Sequence, residues 1–139
     1  MCLITKNKEP NIATTDLYVY KVLRKIIYKP YKLLHCYKKI KYTTPIYEAT
    51  VKKGCILKAY DPDSIIKPYY NPRLSSNYCV EGQGVHAFIK EKDAEFFNAI
   101  GEYNGVITLW KISTGVKYWI DITNERIAAT EMQFIKELH

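Results

Sequence analysis

The chain has 139 residues, of which 47% are hydrophobic, and this size and composition predict one domain (residues 1–139) that buries a core without disulfides. No apolar run approaches the roughly 18 residues of a transmembrane helix, and residues 1–6 lack the pattern of a secretory signal, so we expect a cytoplasmic protein. Residues 1–70 hold 14 basic and 5 acidic side chains and residues 71–139 hold 7 and 9, so the halves carry about +9 and −2, a localised positive charge that favours an anionic partner.

The first 41 residues predict an arm, a strand and an insertion. Residues 1–15 are polar and are interpreted as an N-terminal arm. Residues 17–23 are rich in β-branched and aromatic side chains, which predicts a strand. Residues 24–41 are interpreted as a basic insertion of strand and loop with a short helix near 31–38, because Pro30 rules out one continuous helix.

The middle of the chain predicts a hairpin followed by a long loop. Residues 45–51 and 55–60 are two β-prone runs, and Gly54 between them can supply the positive φ of a turn. Residues 61–79 contain three prolines with asparagine and serine, which is typical of a loop. A loop of this length inside a compact domain is more often functional or mobile than idle.

The second half predicts strands around one helix. Residues 91–100 form the best helical segment, since acidic side chains occupy the first turn and Gly101 follows the last. Residues 85–89, 105–112 and 116–120 predict strands, and residues 131–138 predict an edge strand or, as the weaker alternative, a helix. Trp110 and Trp119 are interpreted as core or interface residues.

These elements define a fold class. Strands outnumber helices and are joined mainly by short turns, which predicts a mostly antiparallel sheet. The sequence therefore predicts an α+β fold, in which one main helix, at about residues 91–100, packs on a curved antiparallel sheet.

Residues 17–47 carry eight Lys or Arg, seven Tyr and no Asp or Glu. Lysine and arginine pair with phosphates, and exposed tyrosine rings stack on bases, so the stretch predicts a surface for nucleic acid or a nucleotide. The alternative is a solvated strand face of a lysine-rich protein. The candidate anion-binding residues in this stretch are Arg24, Lys25, Lys29, Tyr31, Lys32, Lys38, Lys39 and Lys41.

Three candidates lie outside that stretch. His86 follows two glycines, where backbone can approach a phosphate, although a tight turn with a packed histidine is the alternative because a strand rather than a helix follows. Arg73 and Arg126 can each form a fork onto a phosphate or carboxylate, with a surface ion pair as the alternative.

We expect no catalytic residue, no metal site and no cofactor. Asp61 and Asp63 lack the further oxygen ligands of a cation site. The four cysteines are widely spaced and form no Cys-x-x-Cys pair, so reduced and mostly buried thiols are expected.

Short motifs in a fixed order carry a resemblance. They include Tyr-Lys-Val at 20–22, Gly-x-Gly-x-His-x-Phe at 82–88 and Ile-x-x-Gly-x-x-Tyr at 112–118. In this order they resemble a loose group of small uncharacterised accessory proteins of gut Bacteroidetes, their phages and some large DNA viruses. The resemblance implies a viral or phage accessory protein in the host cytoplasm or the virion, with an anti-defence role among the expectations.

Three functions from different classes follow. The favoured one is a non-enzymatic protein that binds an anionic partner, which is nucleic acid, a nucleotide signal or an acidic protein surface. The second is a structural or interaction module, such as a minor virion component or a homo-oligomer. The third is a divergent enzyme whose layout resembles an ADP-ribosyltransferase, in which Lys21 stands at the position of the family's Arg or His and Glu125 or Glu131 at that of its late glutamate.

Overall fold

The computed structural model describes residues 3–28, 39–44, 50–59, 66–68, 77–80 and 85–139. This part of the chain contains thirteen strands and one helix. In chain order they are β1 Leu3–Thr5, β2 Asn11–Ile12, β3 Leu17–Tyr28, β4 Lys39–Thr43, β5 Thr50–Val51, β6 Ile56–Lys58, β7 Ile66–Pro68, β8 Tyr78–Val80, β9 Val85–Phe88, α1 Glu91–Ile100, β10 Val106–Ile112, β11 Lys117–Ile120, β12 Arg126–Ala129 and β13 Glu131–Glu137.

The strands form two sheets, and the strand pairs are antiparallel as predicted. The large sheet has the order β2-β11-β12-β9-β3-β10-β13-β6, with β4 paired to β3 and β5 paired to β4. The small sheet has the order β1-β8-β7. The predicted α+β class with one helix on a mostly antiparallel sheet is therefore confirmed in outline. The class is largely β, and the sheet is not notably curved, contrary to the expectation.

Alternation along β3 sends its side chains to two cores. Val19 and Leu23 pack in the main core, where the rings of Trp110 and Phe134 stack with centroids 5.1 Å apart. Val22 points to the opposite face and packs against Ala94 of α1. Successive residues of a strand face opposite sides of the sheet, so β3 has one face toward the main core and one toward the helix.

Helix α1 spans the residues that the sequence predicts, Glu91–Ile100. Glu91 and Asp93 lie in its first turn, where the helix dipole favours negative charge. Ala94 is fully buried against the sheet, and the amide of Gly101 donates to the Phe97 carbonyl where the helix ends. Trp110 and Trp119 are both buried, as predicted, although they belong to different hydrophobic clusters.

The pairing of the central strands differs from the predicted hairpin. Gly54 has a φ of +84° in a turn, as expected. In the described residues, however, β5 pairs with β4 and β6 pairs with β13 rather than with each other. Local turn chemistry predicts where the chain reverses, whereas the partner of each strand depends on distant residues.

Three further segments are more ordered than the sequence suggested. In the segment interpreted as an N-terminal arm, Leu3 is fully buried and β1 pairs with β8. Parts of the Pro-rich segment 61–79 form β7 and the start of β8. β13 lies between β10 and β6, so it is an interior strand and not an edge. β1 and β13 gain their partners from remote parts of the chain, which a local pattern does not show, whereas β7 pairs with the nearby β8.

The basic insertion begins as a continuation of β3. This strand runs without a break through residues 24–28 and pairs there with β4. The short helix considered for residues 31–38 lies outside the described residues.

Candidate functional site

The structure describes five of the eleven candidate anion contacts with their side chains. These are Arg24, Lys25, Lys41, His86 and Arg126. Lys39 is described by its backbone alone. The other five fall outside the described residues: Lys29, Tyr31, Lys32, Lys38 and Arg73.

Three of the five lie on one two-stranded segment. Residues 24–28 of β3 pair with residues 39–43 of β4, and we call this segment the ribbon. Residues directly opposite in an antiparallel pair share a face. The pairs Arg24–Thr43 and Ile26–Lys41 therefore lie on one face, and Lys25–Tyr42 and Ile27–Ile40 lie on the other.

The first face continues the side of β3 that packs on α1. The Arg24 guanidinium lies over the ring of Tyr103, with Cζ 5.9 Å from the ring centroid. That ring in turn stacks on Phe97 of α1 at 5.0 Å. Lys41 is exposed beside Ile26 on the same face. An aromatic surface under a guanidinium restricts its orientation, so this face presents a positioned arginine and an exposed lysine.

On the second face the cation is neutralised. Lys25 Nζ lies 3.0 Å from Glu137 Oε1, and the Tyr42 hydroxyl donates to Glu137 Oε2 at 2.7 Å. The hydrogen bond from Tyr42 and the charge of Lys25 lower the pKa of Glu137. Burial and the same carboxylate raise the pKa of Tyr42 to about 12. Because its hydroxyl is bound to Glu137 and its ring packs edge-on against Phe134, Tyr42 is not a stacking platform.

Apolar side chains are exposed on both faces of the ribbon. Ile26, Ile27 and Ile40 are 45%, 55% and 50% exposed. Isoleucine with half its surface in water is costly on a β-ribbon unless something covers it. The ribbon thus combines positive charge with uncovered apolar surface.

His86 and Arg126 lie away from the ribbon on β9 and β12. Arg126 Nη2 is 3.5 Å from the carboxylate of Asp121, which is 3% exposed and also accepts from the Ile4 amide and the Thr123 hydroxyl. Arg126 therefore forms an ion pair, as the alternative interpretation has it, but its partner is the buried Asp121 and not a surface glutamate. His86 lies on β9 opposite Ala128, so neither residue joins Arg24 and Lys41 in one site.

Lys21 is a half-buried lysine with its ammonium turned inward, whereas its sequence context predicts a place on the basic surface. Its Nζ donates to the His86 carbonyl, and it lies 5.7 Å from the centroid of the Trp110 ring. Burial lowers the pKa of Lys21 to about 8. The sequence holds a signal for this inward orientation. Alternate residues of a strand share a face, and Val19 and Leu23, which flank Lys21 on its face, are core residues.

Of the residues in the transferase-like layout, Lys21 and Glu131 lie apart on the large sheet. Lys21 lies opposite Thr108 near the start of β10, whereas Glu131 precedes Gln133, which pairs with Lys111 near the end of that strand. The separation along β10 is on the order of 10 Å. Glu131 also lies 4.0 Å from Lys58 in an exposed ion pair.

Asp61 and Asp63 fall outside the described residues, and so do two of the four cysteines. Of the described pair, Cys79 is buried and Cys55 is half-buried. Cys55 is a free thiol, which agrees with the expected reduced state at that position.

Comparison with known proteins gives no match, so the functional proposal rests on the geometry of the site. No family model matches the chain, and no similar curated protein or solved structure was found. Among the described residues, no helix is long and apolar enough to cross a membrane.

Proposed function

We propose that the protein binds nucleic acid through the ribbon, and that Arg24 and Lys41 contact the phosphates. The observation that carries this proposal is the shared face of these two cations, one positioned on Tyr103 and the other exposed. A guanidinium held in one orientation loses less freedom when it forms a fork onto a phosphate.

The surrounding charge supports an anionic partner. Residues 17–47 contain no acidic side chain, and Glu137 pairs with Lys25 on the other face of the ribbon. A surface of positive charge raises the local concentration of polyanions and speeds their association. The contacts to phosphates would be independent of sequence.

The exposed isoleucines favour single strands over duplex. Ile26 lies directly opposite Lys41, so an apolar side chain and a cation are adjacent on the proposed binding face. Unpaired bases present apolar faces next to their phosphates, whereas a duplex buries those faces by stacking. We therefore expect tighter binding to a single-stranded oligonucleotide than to the matching duplex.

Fluorescence anisotropy with a labelled 20-nucleotide single strand tests the proposal. The double variant Arg24→Gln/Lys41→Gln is expected to weaken binding by roughly tenfold or more. The control Lys6→Gln/Lys117→Gln removes the same charge from exposed positions outside the ribbon and is expected to bind within a factor of about two of the wild type. Equal losses in both variants, or no binding by the wild-type protein, would overturn the proposal.

An interaction module is the second candidate, and exposed apolar side chains favour it. Phe96 and Ile100 are 67% and 64% exposed one helical turn apart on α1, and Ile27 and Ile40 form an exposed cross-strand pair. Light scattering coupled to size-exclusion chromatography distinguishes the candidates. An oligomer that persists at high salt and dissociates in Phe96→Ser or Ile27→Ser supports this candidate, whereas a monomer contradicts assembly with itself.

A further inference from the structure

Three metal-ligating side chains from two segments meet beside the first turns of α1. Glu91 and Glu95 are four residues apart, so they lie on one face of the helix. His139 follows β13 and reaches this face from the neighbouring strand. Its Nε2 lies 2.6 Å from Glu91 Oε1 and 3.2 Å from Glu95 Oε1, and the three ligand atoms lie within 4.8 Å of one another.

The backbones that carry these side chains are held in place. The Ile107 amide donates to the His139 carbonyl at 2.6 Å, and the Leu138 amide donates to the Ile107 carbonyl at 2.8 Å. Leu138 packs with Ala94, which lies between the two glutamates on the helix and is fully buried. The segment and the helix are therefore fixed to the same strand, and the three ligands need only side-chain rotation to converge.

The imidazole of His139 lies between two carboxylates. One ring nitrogen faces an oxygen of Glu91 and an oxygen of Glu95, and without a metal ion a single N–H is shared between them. A metal ion between the three atoms would satisfy both carboxylates and the nitrogen lone pair. With bonds of about 2.0–2.2 Å, neighbouring ligand atoms of a tetrahedral ion are roughly 3.4 Å apart, so modest movements suffice.

We propose that Glu91, Glu95 and His139 form a site for a divalent transition-metal ion, and that Zn²⁺ fits it best. One imidazole nitrogen with two carboxylate oxygens suits Zn²⁺, whereas Ca²⁺ and Mg²⁺ prefer ligand sets made of oxygen alone. The three side chains leave at least one coordination position for water. The bound ion would link α1 to the segment that follows β13.

Isothermal titration with Zn²⁺ alone tests the site in the full chain. We expect one ion per chain in the wild type, a loss of affinity of at least roughly tenfold in His139→Ala and Glu95→Gln, and no change in the control Glu102→Gln. All three side chains lie on the surface or close to it, so the variants should fold, and circular dichroism checks this. Zn²⁺ should also raise the melting temperature of the wild type and leave that of His139→Ala unchanged.

Binding of Co²⁺ gives an independent readout of the ligand set. A visible absorption band of a four-coordinate Co²⁺ ion in the wild type that disappears in His139→Ala supports the proposal. Unchanged Zn²⁺ affinity in His139→Ala would overturn it, because side chains elsewhere in the chain would then hold the ion. The absence of saturable binding at one ion per chain would also overturn it and leave an ordinary hydrogen-bonded histidine.

Discussion

Three lysines close together in the basic stretch have three different environments. Lys21 is half-buried with its ammonium beside Trp110, Lys25 is paired with Glu137, and Lys41 is exposed on the ribbon. The formal charge of each is the same in the sequence. Only Lys41 among the three has its charge available to a partner, while the other two influence the stability of the fold.

Burial of Lys21 predicts a stability that rises at alkaline pH. Burial lowers the pKa of Lys21 from its ordinary value of 10.5 to about 8 in the folded protein. The cost of burying the ammonium is fully present below pH 8 and is relieved as the pH rises toward 10.5, because the folded state loses its proton first. Between pH 7 and pH 9.5 the free energy of unfolding should gain about 2 kcal/mol from this group.

Urea denaturation of the wild type and Lys21→Met at both pH values measures this contribution. The variant keeps the length of the side chain and removes the titrating amine, so other groups cancel in the difference. The wild type should gain stability relative to the variant at pH 9.5. A difference that stays constant with pH would show that Lys21 is not buried as a charged group.

The carboxylate of Glu137 predicts a loss of stability in acid. Its pKa is lowered by the hydrogen bond from Tyr42 and by Lys25, so its contribution is present above the unfolded value of 4.5 and is lost as the pH falls through the lower folded value. Glu137→Gln should cost about 1–2 kcal/mol at pH 7 and much less at pH 3. The pKa of Tyr42 should also fall below about 12 in this variant.

Urea unfolding and the ultraviolet absorbance of tyrosinate measure the two effects of Glu137→Gln. Glu131→Gln is the matched control on the same strand, since the exposed pair with Lys58 at 4.0 Å is expected to contribute less than about 0.5 kcal/mol. An equal loss of stability in both variants would contradict the special role of Glu137.

At the scale of single residues, the sequence shows which side chains are charged, but it predicts poorly whether they are buried, paired or exposed. It identifies Arg24 and Lys41 as cations of the ribbon, but Glu137 lies 112 positions from Lys25 and no local pattern connects them. The three members of the proposed metal site are similarly scattered. The spacing of Glu91 and Glu95 is visible in the sequence, whereas the approach of His139 depends on the pairing of β13 with β10.

Elements determined by local chemistry were predicted well, and their partners were not. The dipole-favoured acids and Gly101 define α1 with its observed bounds, and the β-branched run of β10 lies within one residue of its predicted start. Strand pairing is non-local, so no turn pattern in the sequence predicted the partners of β1, β5 and β6. β12 was not predicted as a strand, since its four residues Arg-Ile-Ala-Ala include two alanines, which are weak strand formers.

The buried Asp121 predicts strong coupling between β1 and the turn before β12. Its carboxylate accepts from the Ile4 amide at 3.0 Å and from Thr123, and it pairs with Arg126. Asp121→Ala leaves the Ile4 amide and the guanidinium without this partner, so it should destabilise the fold by about 3 kcal/mol. Chemical denaturation measures the loss.

Asp16→Ala is the control for Asp121→Ala. Asp16 also accepts a backbone amide hydrogen bond, from Thr114 at 3.0 Å, but it is exposed to solvent. Water can replace it, so little change in stability is expected. Similar losses in both variants would contradict the importance of burial at Asp121.

For the molecule as a whole, the charge asymmetry between the halves is the sequence feature that bears most directly on function. The fold reduces the effective positive charge of the basic half, because the Lys21 ammonium is turned inward and Lys25 is neutralised, and it leaves Arg24 and Lys41 on one face. Composition predicted an anionic partner from the total charge. Among the candidate contacts whose side chains the structure describes, Arg24 and Lys41 are the two cations that share a face of the ribbon.

The salt dependence of single-strand binding tests this account most directly. Each phosphate contact to a single strand contributes about −0.7 to the slope of log K against log salt concentration. We predict that Lys41→Gln makes the slope shallower by about that amount, while Lys117→Gln leaves it unchanged. Identical slopes in the wild type and Lys41→Gln would contradict the assignment of the ribbon as the nucleic-acid surface.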